Sequence, residues 1–441
     1  MPALHMTNSS EMGDSVLPLR RRSPLQGELA ATLVFRVNNF EHLAAAYGVD
    51  TAHEVMNTVS HALAVVLESY GSVTLARDVV SVVIPDISAL GQGTGQIACE
   101  RLVCDYASAL AKRSIIVGGQ AVHASISAGW VSAIGSDRSP ASTEKDADLY
   151  SILSHSELPG SPLHSRSVAI ARYIRDMQLS AALFANLERD ELQFAWQPVR
   201  SANPPGDILY HECLPQLIRD GEVTSAGEAT DALERLGLVR ALDQHAVNFV
   251  IGELLVDSTV CLAVNISAQS ARLDEWWCRA VELLTQQRDL ARRLVIEIGQ
   301  TTPISDIERA VRFVQKMRSL GIRVALDGFG AGFASVRQSL ALKPDIVKLD
   351  ALFMRHALEP GSGRETFRHL AGLAENLAPL VIAAGVEAQC ERQIASDAGI
   401  KWQQGHYHGA PANVRVGRLV RGSGTQPTSP GNAARRLLRI V

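Results

Sequence analysis

Residues Gly321 to Asp350 read GIRVALDGFGAGFASVRQSLALKPDIVKLD, and two short apolar runs within them, Ile322 to Leu326 and Ile346 to Leu349, each end abruptly at a polar or charged residue. An apolar run of this length beside a Gly-rich loop reads as a strand buried on both faces. Ahead of the first run, Ile307, Ala310, Val311, Val314 and Met317 recur at helical spacing. Ser305 and Glu308 are spaced as a capping box at the start of that helix, and Gly321 is its stop. A helix feeding a buried strand is a βα unit. Asp327 and Lys348 then fall where the carboxyl ends of such strands deliver side chains to a ligand.

The unit repeats. FAWQPVR, VCLAVNIS, RLVIEI, RVALDG, DIVKLD and LVIAAGVE are six strand-like runs from Phe194 onward, most of them separated by amphipathic helices. This order predicts a (β/α)8-type barrel. Its strand terminators would be Asn265, Glu297, Asp327, Lys348 and Glu387. A lone acid at such a place is usually a helix cap or a solvated charge, but five polar terminators on successive strands point to a site.

Upstream, ATLVFRV reads as a strand, Phe40 to Tyr47 and His53 to Tyr70 as helices, and Val73 to Ala76 with Val79 to Ile84 as a hairpin turning at Arg77-Asp78. A helix over Ile97 to Arg113 follows, then strands over Ser114 to Val117 and Ala121 to Val131 around Gly118-Gly119. A net charge of -4 gives no general basic surface for nucleic acid. The six cysteines show neither CxxC nor metal spacing, which fits a reducing compartment. No apolar run is long enough to span a bilayer and no hydrophobic signal core is present, so a cytoplasmic protein is expected.

The Asp327-Gly328-Phe329-Gly330 motif, with Lys348 and Asp350 one βα unit later, resembles the EAL family of cyclic di-GMP phosphodiesterases, whose central motif is Asp-Asp-Phe-Gly. The order of elements over 28–160, with Ala147-Asp148-Leu149-Tyr150 near its end, resembles the GGDEF domain that often precedes EAL. The hairpin ARDVVSVVIP lacks the glycines and second acid of the GGDEF signature, and Arg36-Val37-Asn38 and Ala44-Ala45 stand where that family places acids and a guanine contact. Lost acids are lost cation ligands, so the resemblance implies a degenerate domain without cyclase activity. The run SRSVAIARYIRDMQLSAALFANLERDEL, with Ile170, Tyr173, Met177 and Ala181 along one side, resembles the connecting helix of tandem GGDEF-EAL proteins. The expected organisation is α/β throughout: a flexible leader over 1–27, a degenerate GGDEF-like domain over 28–160, a connecting helix over 161–190, an EAL-type (β/α)8 TIM-like barrel over 191–414 and a flexible basic tail over 415–441.

Hydrolysis of a phosphodiester needs an activated water and neutralisation of charge on the phosphoryl oxygens, which paired divalent ions supply. Hard ions such as Mg or Mn take oxygen ligands. The resemblance implies Glu212 in His211-Glu212-Cys213-Leu214, Asn265, Glu297 and Asp327 as ligands of one metal, Lys348 and Glu387 as catalytic groups, and Gln197, Gln404 and Gly405 as nucleotide contacts. The family's second aspartate falls on Gly328, and the first glutamate of its Ala-Glu-Gly-Val-Glu motif falls on Ala384, so the second metal site is expected to be lost. Gln216 stands where the family has a phosphate-gripping arginine, and Gly299-Gln300 replaces Thr-Glu. The expectation is little or no hydrolysis: a cyclic di-GMP receptor or protein-interaction regulator, with a protein partner and a homodimer as its assemblies. Two alternatives stand beside it, a working phosphodiesterase and a scaffold that binds no nucleotide.

Overall fold

A computed structural model of the chain describes residues 30–87, 95–133, 166–189, 191–203, 206–219, 222–333 and 335–415. The expected leader, the Ala147-Asp148-Leu149-Tyr150 run and the tail beyond Arg415 lie outside the described residues.

The amino-terminal region is built on an antiparallel sheet ordered β2 (Ser72–Ala76), β3 (Val79–Ile84), β1 (Ala30–Val37), β6 (Ile126–Ala133), with β4 (Ile115–Val117) and β5 (Gln120–Val122) as a separate hairpin. The hairpin between β2 and β3 turns where the sequence places it, and Arg77 takes the positive φ of 42° that a tight two-residue turn demands. Helix Val49–Leu67 buries Ala52, Val55, Met56, Val59, Leu63 and Leu67, a stripe at three- and four-residue intervals, into the core of this region. The single strand expected over Ala121 to Val131 is in fact two. Its middle is diverted because the His123 amide donates to Met177 Sδ (3.3 Å) and the Ser125 amide to Asn39 Oδ1 (2.9 Å), so neither can join a ladder.

From β7 the chain closes a barrel. Its eight strands follow the order β7 (Gln193–Ser201), β8 (Ile208–Arg219), β10 (Leu262–Ile266), β11 (Leu294–Ile298), β12 (Arg323–Phe329), β13 (Ile346–Leu349), β14 (Leu380–Ala383) and β15 (Trp402–Gln403), which returns to β7. A short β9 (Glu222–Ser225) extends β8 as a hairpin. The neighbours of β7 run antiparallel to it, and every other neighbouring pair in the closed ring is parallel. Inside the ring Val199, Tyr210, Ala263, Val295, Ala325, Ile346 and Ile382 form one layer, a residue from each of seven strands. Two strands, β8 and β15, were absent from the six runs expected. The helix before β12 spans Ile307–Leu320, and Gly321 closes it at φ 92° as expected. Its cap is not Ser305, however, but Asp306, whose carboxylate accepts from the Arg309 amide at 3.0 Å.

Helix Arg166–Glu188 joins the two regions. On one side Asn39 donates to the Tyr173 hydroxyl (3.1 Å) and the Phe184 ring lies 4.5 Å from that of His123. On the other, Arg235 makes two hydrogen bonds to Asp176, at 2.7 and 2.8 Å, and the Ile218 amide donates to Asn186 Oδ1. One apolar cluster runs from β1 through this helix to Leu233, Leu238 and Leu242 beside the barrel. The chain is also fastened at Arg415, expected to begin a loose tail: it is buried, pairs with Glu253 at 2.5 Å and lies 4.8 Å from the Trp196 ring centroid.

Candidate functional site

Four of the five polar terminators, Asn265, Glu297, Asp327 and Lys348, converge at one end of the barrel, and strand register accounts for their meeting. Asn265 on β10 is level with Glu297 on β11, and Gln197 on β7 faces Glu212 on β8 across an antiparallel pair. At β12 the ladder to β13 breaks between Leu326 and Phe329, which frees Asp327 and Gly328 from pairing. Gly328 takes φ 73° there.

Lys348 stands at the centre. Its Nζ lies 2.5 Å from Glu297 Oε2, 3.0 Å from Glu212 Oε2 and 3.3 Å from Asp327 Oδ1. The fold thus surrounds this lysine with three carboxylates from three different strands. Glu212 accepts from Asn265 Nδ2 at 2.5 Å and from Gln404 Nε2, and Gln404 Nε2 also lies 3.2 Å from Gln197 Oε1. Gln197 donates in turn to the Gly409 carbonyl at 3.2 Å. Gly405 lies next to Gln404 where a Cβ would come within 2.1 Å of the Val386 carbonyl, so the strand end can dock this closely only with glycine.

The charges are unequal in their settings. Burial opposes ionisation of Glu212, but Lys348, Gln404 and Asn265 outweigh it and hold its carboxyl below the usual range. Burial first, then repulsion from Glu212, pushes Glu297 up to about 8. Asp327 is raised by desolvation and by Glu212 against the pull of Lys348, although its side chain is still 34% exposed and forms the open side of the ring. Burial would lower Lys348, but Asp327, Glu212 and Glu297 together raise it well above its ordinary value.

Among the described residues, no group of three or more His, Cys, Asp or Glu side chains is gathered closely enough to hold a metal ion. The carboxylates close on Lys348 instead. The donor set nevertheless suits a hard cation: three carboxylates against one ammonium leave two negative charges when all are ionised, Asn265 adds an amide oxygen, and Glu297 Oε1 is buried with no hydrogen-bond partner. Glu387 is not part of this ring. Its carboxylate lies 2.8 Å from His406 Nδ1 and is half exposed. Ala384 offers no side-chain donor, and its amide is held by the Leu349 carbonyl. Two participants escaped sequence reasoning: Tyr210, fully buried within the barrel, with its phenol raised by burial and by Glu297, and the Gly409 carbonyl that fixes Gln197. Tyr210 lies two residues before Glu212 on the same face of β8, and that alternation was the available signal.

Among curated proteins the chain is similar to the cyclic di-GMP phosphodiesterase PdeF of Escherichia coli, 24% identical over 51% of this chain and 30% of that one. It is similar also to the cyclic di-GMP phosphodiesterase PdeB of Shewanella oneidensis, 24% identical over 51% of this chain and 27% of that one. This chain thus aligns with less than a third of the length of either. Among solved structures, the Vibrio cholerae LapD S helix-GGDEF-EAL structure (apo) overlaps at a TM-score of 0.48 and 19% identity, covering 86% of this chain and 89% of that one. The family model described as EAL domain matches residues 178–411, more than half of the chain and all of the barrel's strands. The chain therefore belongs to the EAL domain family.

Proposed function

We propose that the chain is a cyclic di-GMP signalling protein of tandem design, a degenerate GGDEF-like domain over 28–160 and a connecting helix over 161–190 ahead of an EAL barrel over 191–414, which binds the nucleotide without efficient turnover. The observation that carries this reading is the continuous side-chain chain Gln197–Gln404–Glu212–Lys348–Glu297 at the barrel mouth, intact beside Gly328 and Ala384, which supply no oxygen. Glu212, Asn265, Glu297 and Asp327 would hold one Mg or Mn ion, and such an ion would neutralise charge on a phosphoryl oxygen. Gln404 orients the Glu212 carboxylate, and Gln197 with Gln404 lines the place of the nucleotide. Lys348 keeps the carboxylates gathered and buried. Hydrolysis would further need a base for the attacking water. With Gly328 and Ala384 at the two positions where the family has acids, a loss of about 10²- to 10⁴-fold is expected from one missing base alone.

The test is calorimetric titration of the full chain with cyclic di-GMP in Mg and then in Ca, with the nucleotide recovered and analysed. Saturable binding with intact nucleotide is expected. Rapid linear product in Mg would favour a working phosphodiesterase, and no binding in either ion would favour a scaffold.

A further inference from the structure

A cleft of about 440 Å³ lies between the amino-terminal region and the outside of the barrel, remote from Lys348 and its carboxylates. Helix Gly95–Lys112 and β6 form one wall, the latter through Trp130. The other wall comes from the start of helix Arg240–Val256, from Arg272 and from Trp276 at the start of helix Glu275–Gln286. Around it the interface is made like a core: Ser125 Oγ donates to the Gly237 carbonyl at 3.0 Å, and Ser108 Oγ to Gln244 Oε1 at 2.7 Å. A space of this size in such an interface is in the range of ligand sites, mostly apolar with a few convergent polar groups.

The charged side chains among them are Arg240, Arg272 and Arg309 with Glu100 and Asp274, and Arg309 is paired with Asp306. Arg240 and Arg272 both turn to Asp274, Arg240 as a direct ion pair and Arg272 with Nε at 3.6 Å. The same carboxylate also caps helix Glu275–Gln286 by accepting from the Trp277 amide. One acid therefore serves two guanidinium groups and a helix end. Arg240 crowds Arg272 with like charge, and partial burial adds to it, which lowers Arg272 to about 10. Two largely buried indoles stand among the aliphatic lining: Trp276 is 7% and Trp130 8% exposed, and the Arg240 guanidinium carbon lies 5.9 Å from the Trp276 ring centroid. Two guanidinium groups that share one carboxylate, set beside two indoles, suit a planar ring bearing an anion.

We propose that this interdomain cleft binds a nucleoside monophosphate, its phosphate on Arg240 and Arg272 and its base against Trp276 and Trp130, so that the ligand latches the amino-terminal region to the barrel. The site is separate from the barrel mouth and does not rest on the reading of that mouth.

The experiment titrates the full chain with AMP, GMP, adenosine and inorganic phosphate, and follows thermal unfolding with each. At least one of the two nucleotides should saturate below about 1 mM and raise the unfolding temperature, with adenosine and phosphate each at least about tenfold weaker. Arg272→Gln, which keeps a polar side chain at this 42% exposed position, should fold as the parent does by its ligand-free unfolding temperature and lose about tenfold or more in nucleotide affinity. Glu212→Gln at the barrel mouth should keep it. The proposal is overturned if neither nucleotide saturates, if Arg272→Gln binds as tightly as the parent, or if Glu212→Gln abolishes the binding.

Discussion

Lys348 Nζ stands 3.0 Å from Glu212 Oε2 across 136 positions of sequence, and the two side chains are 3% and 6% exposed. An ammonium this deep is sustained only by the carboxylates around it, and they by it, because each would otherwise pay the desolvation cost of an isolated buried charge. The pair explains why the mouth of the barrel holds its shape with three acids within reach of a single cation.

Replacing Lys348 with Met leaves those acids without their cation. The barrel should lose about 3 to 5 kcal/mol, the cost of breaking a buried pair from one side. Proton uptake is the protein's remaining relief. Without Lys348 the folded-state pKa values of these carboxylates would rise, so the variant should regain stability as pH falls and lose it as pH rises. Urea unfolding of Lys348→Met between pH 5.5 and 8 reads the effect. A variant as stable as the parent at pH 7.5 would mean that the carboxylates do not depend on Lys348.

Gln404 donates to Glu212 and lies 3.2 Å from Gln197 Oε1, so its removal loosens both the acid and the neighbouring amide. A hydrogen bond to a charged group contributes about 1.5–3 kcal/mol, which predicts a loss of roughly tenfold to a hundredfold in cyclic di-GMP affinity for Gln404→Ala. Calorimetry beside circular dichroism separates this from misfolding. Undiminished affinity would place the nucleotide elsewhere.

Much of the barrel was legible because β10 to β14 are buried on both faces and read as unbroken apolar runs ending at Asn265, Glu297, Asp327 and Lys348. The strands that escaped had physical reasons to do so. The run ILYHECLPQLIR of β8 alternates inward polar groups with apolar ones and contains Pro215, while β15 is two residues long. Spacing also could not tell which side chains share a point. Glu387 ends the LVIAAGVE run as convincingly as Lys348 ends its own, yet it turns to His406 because the backbone beyond β14 leaves the strand direction before reaching it. The cap at Asp306 rather than Ser305 is a shift of one residue, within the ordinary uncertainty of a helix start.

Gly328 has room for a side chain: a Cβ there would meet Asp350 Oδ2 at 3.6 Å, and aspartate tolerates a φ of 73° better than most residues. Gly328→Asp with Ala384→Glu would return both missing acids to the mouth of the barrel. On the receptor reading the double variant should hydrolyse cyclic di-GMP in Mg at least about 10²-fold faster than the parent, the scale of a recovered general base. Chromatography of the linear product decides it. Equal rates in parent and variant would show that Gly328 and Ala384 are not what limits turnover.

His123 offers a test of the amino-terminal region that is independent of nucleotide. Its ring is fully buried beside Phe184, and burial lowers its pKa from 6.5 to about 4, against a smaller upward pull from the Ala111 and Arg113 carbonyls. The folded state therefore refuses a proton that the unfolded chain accepts between those two values. Stability is complete above pH 6.5 and falls as pH drops toward 4, by about 1.4 kcal/mol per pH unit for each such group. His211 and His245 are also lowered to about 4, chiefly by burial, so the parent should show the steeper loss that several such histidines produce. His123→Leu should remove one proton's share of the slope while keeping the apolar contact with Phe184. Urea midpoints measured from pH 4.5 to 7 give both slopes. If they are equal, His123 is protonated within the fold, and the packing against Phe184 must accommodate a charge.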